Sequence, residues 1–371
     1  MFSGVGRYFD VIGKSGHFPA LDGLRAIAII LVLLRHAIHF YPDAPQGFFF
    51  NLWVNGWLGV DLFFVLSGFL ISYHLLNSWP KAGVAGYVGS FYLKRVLRIL
   101  PLYLFIVGVV WLGVVPYYQV SVERDPASLW VYIFFVQEFF NSELLVTLWS
   151  VGVEEKFYLV APLLVYGGLV AVNCRRYILL LISFILSIYF LKWLMMGGVI
   201  GYEDYFWFYR APFWYAVCPI LMGLVVGLVK HKYPVFEPPS NLKLLMLCAF
   251  PALVFLLFFS AWVYAGNWYL VDFVQLLFSV LCAVVVAICV WLQEAGRGIL
   301  AGRFLRLMAK LSYAVYLVHL LMIPLSIELS EFVGGEFWVF FVIYISLTMF
   351  VSFVLHLVVE KPFLELKKYV R

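Results

Sequence analysis

Arg25 and His36 lie eleven residues apart in one apolar segment, LDGLRAIAIILVLLRHAIHF. At about 100° per helical residue, eleven steps return the chain to within about 20° of its starting direction, so the two side chains share a face. At a helical rise of 1.5 Å they stand roughly 16 Å apart along the axis, about half the hydrocarbon thickness of a bilayer. An ionisable pair at such depths is costly unless it meets a partner or a wet cavity, which points to function more than to packing. An imidazole held there suits general-base chemistry on a hydroxyl, with a nearby carboxylate to fix its tautomer. The plainer alternatives are a snorkelling Arg25 paired with Asp22 and a His36 packed against a neighbouring helix.

Other chemistry-bearing residues are spaced along the chain. Glu154 and Glu155, in LWSVGVEEKFYLVAPLL, read as lying at the outer entrance of the fourth span, where Glu155 would orient His36. Lys156 offers instead a local neutralising pair. In FYLKRVLRILPLY, Arg95 and Arg98 are one turn apart, and paired guanidinium groups suit the phosphates of a soluble cosubstrate as well as lipid headgroups. The second span, GVDLFFVLSGFLISYHLL, places Asp61 near its outer end and Ser67 and Gly68 near its middle, small residues that also allow close helix packing. The ninth, LSYAVYLVHLLMIP, carries His319 roughly 16 Å from its start, with Tyr313 and Tyr316 on nearby turns. Trp53, Trp57, Trp149, Trp207, Trp214 and Trp268 fall near outer ends, where an interfacial belt explains most of them.

The elements that must position these groups are membrane spans. Of 371 residues, 65% are hydrophobic and only 12% charged, against about 25% charged in soluble domains. Apolar runs predict an all-α polytopic bundle of about ten spans, at 21–41, 56–76, 99–118, 157–173, 177–196, 211–229, 243–264, 270–292, 308–327 and 337–359. The stretch 128–140 is too short to span and reads as interfacial. Cations cluster at the N-terminus (Arg7, Lys14), in alternate loops (Lys81, Lys94 to Arg98; Arg175, Arg176; Lys230 to Lys243; Arg297 to Lys310) and in the tail. By the positive-inside rule both termini are cytoplasmic, as an even number of spans requires. The whole chain, 1–371, reads as one integral domain, with an N-terminal segment 1–20, spans over 21–359 and a tail 360–371.

The net charge of +5 is spread over these loops, with no long basic block, so lipid rather than nucleic acid is the expected polyanionic partner. Arg35 and His36 interrupt the end of the first span, and no cleavage site follows, so it does not read as a removable signal. Five cysteines without a CxxC pattern indicate neither a disulfide framework nor a metal site, and no tightly bound cofactor is expected.

Six segments in order, DGLRAIAIILVLLRH, GVDLFFVLSGFLIS, LKRVLRILPLY, SVGVEEKFYLVAPLL, SYAVYLVHLLMIP and VEKPF, resemble the acyltransferase-3 family of integral membrane acyltransferases over nearly the whole chain. The resemblance implies a ten-span bundle, in the bacterial inner membrane, that takes an acyl group, most often acetyl, from cytoplasmic acyl-CoA. The acceptor it implies is a hydroxyl of a cell-surface glycan, a lipid-linked saccharide or glycolipid. Position by position, Arg25 and His36 match the signature pair, Ser67 and Gly68 the FFxxSG element, and Arg95 and Arg98 the RxxR element. Arg25, Arg95, Arg98, Ser67 and Gly68 are then the expected donor-side set, His36, Glu155 and Arg25 the catalytic set, and Asp61, Glu154, His319 and Tyr316 the acceptor-side set. Arg35 departs from the family, which usually has an uncharged residue there. No esterase-like domain is read after the last span, from which direct transfer or a separate extracytoplasmic partner protein is expected.

The rival expectation is a transporter or flippase whose buried histidines relay protons. The shape of the space between Arg95 and His36 separates the two: an inner tunnel narrowing at His36, with an outer groove beyond, favours acyl transfer.

Overall fold

The computed structural model describes residues 18–77, 84–119, 129–140, 144–199, 201–235, 237, 239–240, 244, 248–259, 267–291 and 300–370. Most of the N-terminal segment 1–20 lies outside them, as do Lys81, Lys243 and Arg297. Ten helices of eleven or more residues occur among the described residues: α1 (Pro19–Phe40), α2 (Gly59–Asn77), α3 (Val84–Trp111), α4 (Leu148–Pro162), α5 (Cys174–Met195), α6 (Phe213–Lys232), α7 (Ala249–Phe259), α8 (Trp268–Trp291), α9 (Arg303–Glu331) and α10 (Phe337–Leu355). No strand is present among these residues. The chain is an all-α, polytopic membrane bundle.

Six helical stretches are both long and apolar enough to cross a bilayer: Phe48–Asn77, Cys174–Gly198, Phe213–Lys232, Trp268–Trp291, Arg303–Glu331 and Phe337–Tyr369. The stretches containing α5 and α10 turn most of their surface outward, whereas those containing α2, α6 and α9 are mostly enclosed. With α1, these three form the centre of the bundle.

Local sequence explains several boundaries. Pro19 occupies the first turn of α1, where no amide bond is lost, and Asp22 sits against the positive end of the helix dipole. The contact between α2 and α6 depends on glycine. A Cβ added at Gly68 would come within 1.8 Å of the Ile220 carbonyl oxygen, and one at Gly223 within 2.0 Å of that of Val65. The backbones therefore meet directly, as small residues permit in membrane bundles.

Two spans differ from expectation for one physical reason. α3 begins at Val84 rather than near residue 99, and α4 begins at Leu148 rather than near 157. Charged residues interrupt the apolar run without interrupting the helix, because Arg95, Arg98 and Glu154 turn toward an internal cavity rather than lipid. In the seventh span only Ala249–Phe259 is described as a helix, with undescribed residues on both sides. The short stretch after residue 128 forms a five-residue helix, Leu129–Ile133, and a tight turn, Gln137–Phe139. Pro362 does not stop the tenth helix: a π turn, His356–Glu360, leads into Lys361–Leu366, where Pro362 occupies the tolerated first turn.

Candidate functional site

Two large cavities in the described part of the bundle concern the expected site residues. One, of about 780 Å³, is walled by α1, α2, α3, α4 and α9 and contains Arg25, Arg95, Arg98, Ser67, His74 and Glu154. The other, of about 940 Å³, contains His36, Arg35, His39 and Arg210. Val60 and Tyr316 face both cavities and form the boundary between them. The face of α1 carrying Arg25 and His36 thus runs past both, with Arg25 in the first and His36 in the second. His36 stands on the far side of Val60 and Tyr316 from the arginines.

In the arginine cavity, Arg25 makes a loose ion pair with Asp22 at 3.7 Å. The Arg95 guanidinium lies 5.6 Å from the Phe91 ring and 5.7 Å from the Tyr158 ring, and its Nε is buried without a partner. An unpaired, buried guanidinium nitrogen in a cavity with two further arginines is chemically matched to an anion such as a phosphate ester. On α4, Ser150, Glu154 and Tyr158 recur every four residues and so make one stripe along the cavity wall. Tyr158 donates to Glu154 Oε2 at 2.8 Å, and the Ser67 hydroxyl lies 2.9 Å from the Tyr158 hydroxyl, so Ser67 donates into this chain.

In the histidine cavity, His36 Nδ1 lies 2.9 Å from the Val32 carbonyl oxygen and 3.1 Å from His319 Nε2. His319 Nδ1 lies 2.8 Å from the Tyr316 carbonyl oxygen and 3.2 Å from that of Val315. Carbonyls only accept, so His319 Nδ1 carries the proton and its Nε2 presents a lone pair to His36 Nδ1. His36 Nδ1 must then be the protonated nitrogen, which leaves the lone pair on His36 Nε2. This tautomer is the one a general base needs.

Several expected residues occupy other places. His319 is fully buried and supports His36 in place of Glu155. Glu155 is absent from both cavity linings, and its Oε1 is buried without a partner. Glu154 lies not at the outer entrance but in the arginine cavity, because α4 begins earlier and reaches that depth by its second turn. Lys156 pairs with Glu138 rather than with either neighbouring glutamate. Gly68 packs on α6 and lines neither cavity. Asp61 is buried and held at both oxygens, accepting from Arg210 Nη2 and from Gln275 Nε2, each at 2.9 Å. Tyr316 does line the histidine cavity, where its hydroxyl bonds Ser150.

Arg210 was not among the expected site residues. It ends a π turn, Tyr205–Arg210, and its guanidinium lies 4.2 Å from the Trp57 ring centroid, within cation–π range. The acid that holds it, Asp61, is 149 residues away in sequence, so no local signal pointed to the pair. Gln275 extends the network to Tyr205, and Tyr205 to the buried Asp272–Lys192 pair. Trp57, Trp149 and Trp207, three of the six tryptophans named above, also line this cavity. Arg35 faces the same space, and among the described residues it makes no ion pair.

Known proteins resemble this chain along its length. The family model described as an acyltransferase domain, acyltransferase-3, matches residues 18–357. The O-acetyltransferase OatA of Staphylococcus aureus (strain NCTC 8325) is 27% identical over 370 residues, 93% of this chain and 57% of its own length. A further protein, of S. aureus strain COL and named a candidate O-acetyltransferase, is 27% identical over 382 residues, 96% of this chain and 58% of its own. The chain therefore spans less than three-fifths of the length of these relatives. No solved structure matches it.

Proposed function

This chain belongs to the acyltransferase-3 family, and from that premise we propose that it is a membrane O-acetyltransferase that passes an acetyl group from cytoplasmic acetyl-CoA to a hydroxyl of a saccharide on the other side. The observation that carries this reading is the pair of cavities meeting at Val60 and Tyr316, one rich in arginine and the other holding His36. Both termini and the Arg25 end face the cytoplasm in this reading, in keeping with the positive-inside rule.

Arg25, Arg95 and Arg98 hold the phosphates of CoA, and the thioester end reaches toward Tyr316. The acceptor hydroxyl enters the histidine cavity, where Trp57, Trp149 and Trp207 offer apolar faces to a sugar ring. His36 Nε2 removes the hydroxyl proton as the oxygen attacks the thioester carbonyl. The carbon–sulfur bond breaks, the proton passes to the departing thiolate, and the products are the O-acetyl ester and free CoA. His319 and the Val32 carbonyl together hold His36 in the required tautomer throughout.

Transfer of labelled acetyl from acetyl-CoA to endogenous glycan, measured in membranes carrying the full chain, tests the proposal. His36→Ala should lower the rate by about 10²- to 10⁴-fold, the usual contribution of a general base. Arg25→Ala should act mainly through KM. A near wild-type rate in the histidine variant would refute the mechanism.

A further inference from the structure

The chain beyond α10 folds back on one wall of the arginine cavity. The π turn His356–Glu360 and the helix Lys361–Leu366 both pack against α3, the helix that carries Lys94, Arg95 and Arg98. Lys367 follows in a tight turn, Lys367–Tyr369, and is half-buried where its neighbour Lys368 is exposed. The charges that act on it most strongly are those of Arg98 and Arg95, then Glu360 and Lys94. Glu360, the one acid among them, is already engaged by His356 Nδ1 at 2.7 Å. Lys367, Lys94 and Arg98 make no hydrogen bond or ion pair among the described residues, and the Nε of Arg95 is buried without a partner.

Cations gathered in this way repel one another, and the repulsion is relieved when a polyanion binds. Arg95 and Arg98 line the cavity and Lys367 does not, so the unpaired charge continues past the lining to the cavity's edge. CoA distributes its charge to match: a diphosphate in mid-molecule and a separate 3′-phosphate on the ribose, at the end opposite the thioester. With the thioester directed inward to His36, the ribose is the part of the donor left at the edge. We propose that Lys367 holds the ribose 3′-phosphate of the donor, and so selects CoA over carriers that lack this group, such as dephospho-CoA and phosphopantetheine. The proposal rests on the acyl-transfer reading above. A lysine suits the place, because a point charge on a flexible stem can follow a phosphate at a rim. The headgroup phosphate of an anionic lipid offers the same chemistry, and the test separates the two sources.

Unfolding temperatures of the full chain in nonionic detergent, titrated with CoA and with 3′-dephospho-CoA, give the two dissociation constants. The wild type should bind CoA about tenfold more tightly, the worth of one hydrogen bond to a charged group. Lys367→Met keeps the apolar stem and removes the charge, so it should weaken CoA alone and bring the two constants within about twofold of each other. Lys367→Arg and Lys368→Ala should keep most of the preference. If the methionine variant does not accumulate as folded protein, Lys367→Gln takes its place. Equal wild-type affinity for the two ligands, an unchanged ratio in Lys367→Met, or an equal loss for both ligands would overturn the assignment and leave the acyl-transfer reading standing. A Lys367→Met variant that keeps the ratio but loses stabilisation by added phosphatidylglycerol would give the site to lipid instead. Stabilisation of the wild type by neither ligand would overturn the CoA-donor reading and the assignment with it.

Discussion

A histidine becomes a base through what stands behind it. His36 alone could carry its proton on either ring nitrogen, and the Val32 carbonyl at 2.9 Å and His319 Nε2 at 3.1 Å, the latter fixed in turn by carbonyls, both call for it on Nδ1. Removing His319 leaves His36 Nδ1 with only the Val32 carbonyl and frees the ring to rotate. His319→Ala should therefore lower kcat by about 100-fold, the cost typical of misplacing a catalytic group by an ångström, while KM for the acyl donor changes little. Steady-state kinetics that showed kcat within twofold of wild type would assign His319 to packing only. Arg210 illustrates the same dependence, since its guanidinium is aimed by Asp61 and by Trp57 rather than by its own helix.

At the scale of elements, the cavities exist because certain helices touch backbone to backbone and others do not. Gly68 and Gly223 let α2 and α6 meet directly, which sets the depth of Ser67 in the arginine cavity. Gly68→Ala, with its new Cβ 1.8 Å from a carbonyl oxygen, must force the helices apart and should destabilise the protein by about 1–3 kcal/mol, the usual cost of overpacking. Gly89→Ala in α3, where nothing lies within 4 Å, should be neutral or stabilising by about 0.5–1 kcal/mol. Thermal unfolding in detergent distinguishes the two, and equal midpoints would contradict the packing argument. The element boundaries also teach why reading apolar runs misplaced α4: an internal cavity supplies the partner that lipid denies to Glu154.

For the whole molecule, the division into an arginine cavity and a histidine cavity makes binding and chemistry separable. CoA without an acyl group should raise the unfolding temperature of the wild type and of His36→Ala alike, because a ligand that binds only the folded state stabilises it. At a free concentration 100 times Kd the gain is about 2.7 kcal/mol. Arg95→Ala combined with Arg98→Ala should abolish that gain. Retention of the full shift in the double variant would place the CoA phosphates elsewhere, and absence of any shift in the wild type would remove the grounds for a CoA donor.

The chain by itself determined the class of fold and the shared face of Arg25 and His36, because hydropathy and helical period are local properties that any window of sequence displays. The motif set that marks the family is local in the same sense. Contacts between distant segments could be decided only by the tertiary structure. His319 and not Glu155 stands behind His36, although they are 283 residues apart. Glu154 belongs with the arginines, and Asp61 serves Arg210. Each of these depends on which helices become neighbours and at what depth. A helix face can be read from spacing, but the group it faces is supplied by another part of the chain.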